Sequence, residues 1–472
     1  MFRITIASND LPKFIANRLS LFTNFIAPVL VCLTLAMLLL SKIFKSKPSR
    51  KVFLLDFACY KPPASQMWSK ELTMERARHH FTNLSEETLL FMEKILEKSG
   101  IGPSTYLPDA FRSELPNECM EEVKKESEMV IFGAVDDILA KTGVKGKDIG
   151  IVIVNCCIFN MVPSLSAMII NRYKLGDEVV SYSLSGMGCS AGLAAIGLAK
   201  QLLQVHRNSY ALVVSTENIT GNRYLGKDRS MILINCLFRV GGAAVLLSNK
   251  PSDRHAAKYQ LIHAVHTNTA ASDLSYNCIS SVEDAEGLVG VAISKSLMPV
   301  AIKTIEANLT TLGHLVLPVS EKILYIANYI ARHFNLEKIK PYVPDFMKAI
   351  DHIVTHVGGQ PVLDEVERNL KLSKIDMEAS RMTLYRFGNT SSSSVWYGLA
   401  YTEAKGRIKK GDRVWQIAFG SGFKCNSLIM KAMRDVDLEE KNPWSDEIDG
   451  FPVDLMSSDG AFPFDFKPSK KI

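Results

Sequence analysis

The order of apolar runs predicts an α/β protein made of two similar layered halves. Ile149 to Val154 (IGIVIV) is a continuous, mostly β-branched run, as a strand covered on both faces requires, and such strands alternate with helices. A second alternation follows beyond residue 341, so the core reads as pseudo-duplicated. The first fifty residues are of another kind. Leu19 to Leu40 (LSLFTNFIAPVLVCLTLAMLLL) carries no charge and is long enough to cross a hydrocarbon core as one helix. The chain therefore divides into a cytosolic or lumenal segment 1–18, a transmembrane anchor 19–44, an N-terminal half 51–340, a C-terminal half 341–440 and a tail 441–472.

Taken in order, Arg3, Lys13 and Arg18 precede the apolar run, as in a signal peptide. The run is long for that role and ends in Lys42, Lys45, Lys47, Arg50 and Lys51 instead of a small-residue cleavage site, which favours an anchor. The excess of basic residues after it places the body in the cytosol. Val52 to Leu55 is a short strand and Asp56 to Pro63 a turn. Ser85 opens a helix, with Glu86 and Glu87 at its positive end, an apolar stripe at Leu89, Leu90, Ile95 and Leu96, and Gly100 as its stop. Val179 to Leu184 reads as a buried strand, Leu193 to Leu203 as an amphipathic helix and Ala211 to Val214 as the next strand. Leu315 to Arg332 is largely apolar: a buried helix, a hydrophobic cap or a membrane-facing surface. In the second series Asp351 to His356 is a strand end, Val362 to Leu370 a helix and Arg413 to Phe419 a strand. The tail from Asn442 is rich in Pro, Asp and Ser and is expected on the surface.

Composition narrows the function classes. With 47% hydrophobic and 22% charged residues the chain is globular and not disordered. Several of its +6 net charges lie just after the anchor, facing anionic headgroups, and no basic-aromatic stripe points to nucleic acid. The nine cysteines are odd in number and include no CxxC, as in a reducing compartment without zinc sites. Glycosylation patterns at Asn83, Asn218, Asn308 and Asn389 would stay unmodified on a cytosolic body, which makes them a test of topology.

The chemistry centres on Cys189, in Ser185-Gly186-Met187-Gly188-Cys189-Ser190-Ala191-Gly192. Gly186 and Gly188 allow a sharp strand-to-helix elbow, and a thiol at a helix start is expected to have a lowered pKa. A free cysteine also serves simply to fill a helix–sheet contact. His356 precedes Gly358 and Gly359 after one valine, a place where a histidine is either structural or faces a ligand. Asn389 follows Gly388 and leads into Ser391 to Ser394, either capping a helix or opening a small-residue seam. Gly420-Ser421-Gly422 is a glycine turn after a strand, able to bring backbone N–H groups against a substrate oxygen.

Together GMGCSAG, His356 before its glycine pair, RFGNTSSSS and GSGFKCNS resemble the plant 3-ketoacyl-CoA synthases, condensing enzymes of fatty-acid elongation. The resemblance extends through Asp56 to Pro63, Asn155 to Arg172, Ser215 to Arg229 (STENITGNRYLGKDR), Asn235 to Ala244, Ala379 to Thr383 and Asn442-Pro443-Trp444. It implies a thiolase-like fold, usually a homodimer, on the endoplasmic reticulum membrane with its catalytic body in the cytosol. The implied partners are acyl-CoA, malonyl-CoA, the lipid bilayer and the reductases and dehydratase of an elongase complex; no metal or redox cofactor is implied. Cys189 would accept the acyl group, His356 and Asn389 would stabilise the enolate of decarboxylating malonyl-CoA, and Gly420, Ser421 and Gly422 would bind substrate or form an oxyanion hole. His352 matches a further family histidine and is counted with the catalytic set. Asn268 and Tyr385 replace family histidines, Gln360 an arginine and Ile234 a common proline. All four leave room for an altered substrate range or reduced activity, and the changes at Asn268 and Tyr385 motivate the alternative of a weakly active or non-catalytic elongase subunit; a type III polyketide synthase-like enzyme is the other.

Overall fold

The computed structural model describes residues 49–80, 84–113, 117–333 and 340–455. The anchor predicted over 19–44 lies outside them, as does the tail beyond 455; among the described residues no helix is long and apolar enough to cross a membrane. The described residues from Lys51 onward form one compact unit.

Among the described residues its main sheet has nine strands: β1 Val52–Cys59, β2 Ile149–Asn155, β3 Val180–Leu184, β4 Tyr210–Thr216, β5 Gly242–Ser248, β6 Tyr259–Asn268, β7 His352–Thr355, β8 Arg413–Gly420 and β9 Lys424–Ala432. They lie in the order β7-β8-β9-β6-β1-β5-β4-β2-β3. One plan is used twice. In the first set β2 pairs parallel with β4, β4 antiparallel with β5 and β5 antiparallel with β1. In the second, β7, β8, β9 and β6 repeat that sequence of pairings. The second set therefore opens at Tyr259, well before the division drawn at 341 from the sequence. β1 and β6 join the sets through a short antiparallel stretch.

The helices that matter below are α1 Glu86–Lys98, α2 Met120–Thr142, α3 Ala191–Val205, α4 Arg229–Leu237, α5 Leu297–Val316, α6 Val319–His333, α7 Gln360–Leu370, α8 Lys374–Phe387 and α9 Ser394–Ala404. α3 touches β2 and β4 on one side and β6 and β9 on the other, and α9 reaches β1 as well as β7 and β8. These two helices form the layer between the strand sets, which is why Ser394 to Glu403 is buried on every face.

Local expectations fare unevenly. Ser85 caps α1, its Oγ accepting from the Thr88 N–H at 3.2 Å. β2 is covered on both faces as expected. β1 runs on to Cys59, over the first half of the turn expected at Asp56 to Pro63, and the Asp56 carboxylate is paired with Lys258 Nζ at 2.9 Å. β3, expected buried, is an edge strand with Ser181, Tyr182 and Ser183 exposed. The tail opens on Trp444, which is fully buried against Phe387, Tyr401 and Phe451 and donates to the Tyr397 carbonyl at 2.9 Å. Three of the four glycosylation patterns cannot report topology, because Asn218, Asn308 and Asn389 are buried whatever compartment they occupy.

Candidate active site

Cys189, His356 and Asn389 line one cavity of about 320 Å³, together with Gly420, Ser421, Glu217, Phe238, Phe419 and Phe423. Each is delivered by a turn at the end of a strand or the start of a helix in the central layer.

The elbow before α3 is a 3-10 turn, Gly188–Ser190, with left-handed backbone at Gly186 (φ 65°) and Gly188 (φ 66°). Close approach adds a second demand for glycine. A β-carbon on Gly188 would stand 2.3 Å from the Ser421 nitrogen, and one on Gly420 would stand 2.5 Å from the Cys189 nitrogen. The elbow and the turn after β8 are thus pressed backbone to backbone beside the sulfur. The expected lowering of the thiol pKa does not occur. Burial pushes Cys189 up to about 12, outweighing the Ser391 hydroxyl 3.5 Å from its sulfur, so in the resting protein it is a thiol.

His356 follows β7, its N–H donating to the Ile417 carbonyl at 2.9 Å. The ring meets Phe419 edge-on and its Nδ1 lies 2.8 Å from Ser394 Oγ. Nε2 is left beside Gly358, where a β-carbon would stand 3.6 Å away. Burial depresses this imidazole to about 3, so it is neutral at physiological pH.

Asn389 is held by a strand-like bridge to Phe238, its N–H donating to Leu237 and its carbonyl accepting from Arg239. Its Oδ1 accepts from the Ser391 N–H at 2.8 Å, which fixes the amide and leaves Nδ2 for the cavity. The four serines that follow are not an inert seam. Ser391 Oγ donates to Glu217 Oε2 (3.0 Å), Ser392 Oγ to Asn155 Oδ1 (2.6 Å) and Ser393 Oγ to the Thr390 carbonyl (2.8 Å), while Ser394 holds the histidine. Ser391 sits at φ 55°, a left-handed conformation that a non-glycine residue adopts only where its surroundings hold it.

Glu217, which the sequence reading passed over inside STENITGNR, ties both halves together. Besides Ser391 it accepts from the Ile158 N–H (3.0 Å), the Cys157 N–H (3.2 Å) and the Cys156 thiol (3.3 Å), and burial raises its pKa. His352 does not reach the cavity. Four residues before His356 and at the other end of β7, it pairs through Nε2 with Asp412 at 3.0 Å. Gly422, with φ 115°, shapes the turn but does not line the cavity. Asn268 is exposed and caps its own turn through the Ala270 N–H, and Tyr385 packs against Phe451; neither lines the cavity, whereas Ile234 does.

A family profile described as FAE1/Type III polyketide synthase-like protein matches residues 44–334, and one described as 3-Oxoacyl-[acyl-carrier-protein (ACP)] synthase III C terminal matches 347–432. Arabidopsis thaliana 3-ketoacyl-CoA synthase 2 is 56% identical over 458 residues, 95% of this chain and 84% of the relative. Arabidopsis thaliana 3-ketoacyl-CoA synthase 11 is 55% identical over 428 residues, 90% of this chain and 84% of the relative. Among solved structures, the type III polyketide synthase 1,3,6,8-tetrahydroxynaphthalene synthase of Streptomyces coelicolor A3(2) superposes with a TM-score of 0.60 at 18% identity, covering 81% of this chain and 99% of its own. The fungal type III polyketide synthase ORAS does so with 0.61 at 20% identity, covering 81% and 99%. At that distance the structural likeness establishes the thiolase-like fold alone, while the sequence relatives, alike over nine-tenths of its length, establish that this chain belongs to the plant 3-ketoacyl-CoA synthases, within the FAE1/type III polyketide synthase-like family.

Proposed function

We propose that this acyltransferase lengthens a long-chain acyl-CoA by two carbons through an acyl thioester on Cys189, as the condensing step of very-long-chain fatty acid elongation. The observation that carries the reading is the convergence of Cys189, His356 and Asn389 on one largely apolar cavity. In the first step neutral His356 takes the Cys189 proton at Nε2, the sulfur attacks the acyl-CoA carbonyl, and CoA leaves with that proton. In the second, malonyl-CoA loses carbon dioxide, and the bond's electrons pass to its thioester oxygen as an enolate. Asn389 Nδ2–H and His356 Nε2–H donate to that oxygen. The enolate carbon then attacks the acyl carbonyl, and the Cys189 sulfur leaves with the electrons and takes a proton from solvent, the one proton that the overall reaction consumes.

The two steps need opposite states of Nε2, bare and then protonated. Ser394 suits both, because its hydroxyl can accept from Nδ1–H in the first and donate to Nδ1 in the second. A second apolar cavity of about 110 Å³, lined by Ile302, Ile305, Leu309 and Val343, shares only Ala301 and Val362 with the first. A long acyl chain would extend past that pair. The positions that motivate a non-catalytic subunit, Asn268 and Tyr385, lie outside the cavity and weaken that alternative. The exposed edge of β3 suits pairing with a second copy. Anchoring in the endoplasmic reticulum membrane and work alongside a reductase and dehydratase belong to the same proposal. The test is incubation of membranes bearing the chain with labelled malonyl-CoA and a saturated long-chain acyl-CoA. A labelled 3-ketoacyl product that disappears in Cys189→Ala is expected, and its absence from the unmodified chain would refute the reading.

A further inference from the structure

α6 is amphipathic in the reverse sense. A surface helix ordinarily turns its apolar stripe to the core, but here the polar side faces the protein. Glu321 is fully buried, accepting from the Tyr342 hydroxyl at 2.6 Å, the Asp345 N–H at 3.0 Å and Lys348 Nζ at 2.5 Å. Asn328 accepts from the Tyr342 N–H at 2.9 Å and donates to the Lys340 carbonyl at 3.1 Å. These bonds clamp the helix so that Val319, Ile323, Ile326 and Ile330, one stripe at intervals of four, three and four residues, are 49–69% exposed on the outside. Leu315 extends the stripe, and Tyr325 and Tyr329 are exposed on the same helix.

The chemistry of what covers this face follows from its charges. The helix carries Lys322, Arg332 and His333, and its one carboxylate is the buried Glu321 already neutralised by Lys348. Exposed aliphatics with tyrosines and cations, and no exposed acid, complement an anionic lipid interface. A second copy fits less well, since a stable dimer needs roughly 800 Å² per partner, more than one short stripe offers.

We propose that α6 lies in the surface of a lipid bilayer, its Val319–Ile330 stripe among acyl chains and its basic residues at the phosphates. This contact is separate from the uncharged run Leu19–Leu40. Resting on the condensing-enzyme reading, it would also bring the bilayer to α5, which lines both cavities and runs into α6 through Leu317 and Pro318.

The four native tryptophans, Trp68, Trp396, Trp415 and Trp444, are at most 2% exposed and so shielded from lipid quenchers, and an added surface indole is read as the difference from the unmodified chain. The full chain carrying Tyr329→Trp is reconstituted in phosphatidylcholine/phosphatidylserine vesicles whose acyl chains are brominated near the headgroup. Blue-shifted emission from the added indole, quenched by more than half relative to unbrominated vesicles, is expected; a Leu438→Trp control, at an exposed residue in the loop after β9, should show neither. Unshifted, unquenched emission would overturn the proposal. Blue-shifted but unquenched emission would overturn it too, placing the stripe against residues 19–40 or a second copy. The readout does not involve turnover, so its failure leaves the condensing reaction intact, and a failed condensation leaves the quenching in place.

Discussion

The elbow that carries Cys189 and the turn that carries Asn389 occupy equivalent places in the two strand sets, and they solve the same geometric problem differently. Each is a short 3-10 turn entering a helix of the central layer, Gly188–Ser190 before α3 and Ser391–Ser393 before α9. The first reaches its left-handed backbone with glycines and presents a thiol. The second also uses a glycine, Gly388 (φ 68°) before Asn389, and then reaches the left-handed region again at Ser391, with a side chain present, held there by bonds to Asn389 Oδ1 and Glu217. The two turns touch: a β-carbon on Gly192 would stand 2.5 Å from the Ser392 carbonyl oxygen. A duplicated backbone device thus supplies unlike groups to one cavity. Both turns use glycine, and the second adds side-chain bonds at Ser391.

With the Cys189 thiol pushed up to about 12, its alkylation by iodoacetamide should quicken about tenfold per pH unit from pH 7 to 10, because the thiolate fraction rises with pH far below the pKa. Site-resolved mass spectrometry would follow it. A plateau below pH 8 would instead mean that Cys189 and His356 form an ion pair at rest. On the opposite turn, Asn389→Ala should lower condensation turnover by about 10²–10³, the usual loss on removing one donor to a developing oxyanion. Ketoacyl product formation measures it.

These contrasts explain what could be read from sequence. Cys189, His356 and Asn389 were legible because each stands beside glycines, which mark sharp turns in any chain. The runs IGIVIV and RVWQIAF announced β2 and β8 for a similar reason, being apolar on both faces. Glu217 gave no such sign. A glutamate among polar residues looks like a surface acid until Ser391, 174 positions away, is folded against it. The exposure of β3 was hidden too, since Val180 and Leu184 at its ends read as a strand whichever face is covered. His352 was counted on its match to a family histidine, but four residues of extended strand carry it to the far end of β7, against Asp412. Trp444 is buried by partners 43 and 57 residues earlier that no local pattern reveals.

Two smaller effects sharpen the same comparison. Ser394→Ala removes the group that holds His356 Nδ1, and a hydrogen bond of this kind contributes about 1–1.5 kcal/mol, so kcat should fall roughly tenfold with KM little changed. Ser394→Thr keeps the hydroxyl and should recover much of the loss, which a purely packing role would not predict. Ala301→Leu thickens the wall between the two cavities and should shift the chain-length profile of products toward shorter acyl groups by about tenfold, as gas chromatography of the elongated acids would reveal. Short acyl-CoA should still acylate the enzyme.

The division of labour between the two turns is tested most directly by intact-protein mass spectrometry of Asn389→Ala, given acyl-CoA first and malonyl-CoA afterwards. An acyl adduct on Cys189 that forms normally and then persists in the presence of malonyl-CoA is the expected result. Failure to form the adduct, or its discharge at the rate of the unmodified enzyme, would contradict the assignment of the thiol to acyl capture and of the carboxamide to enolate stabilisation.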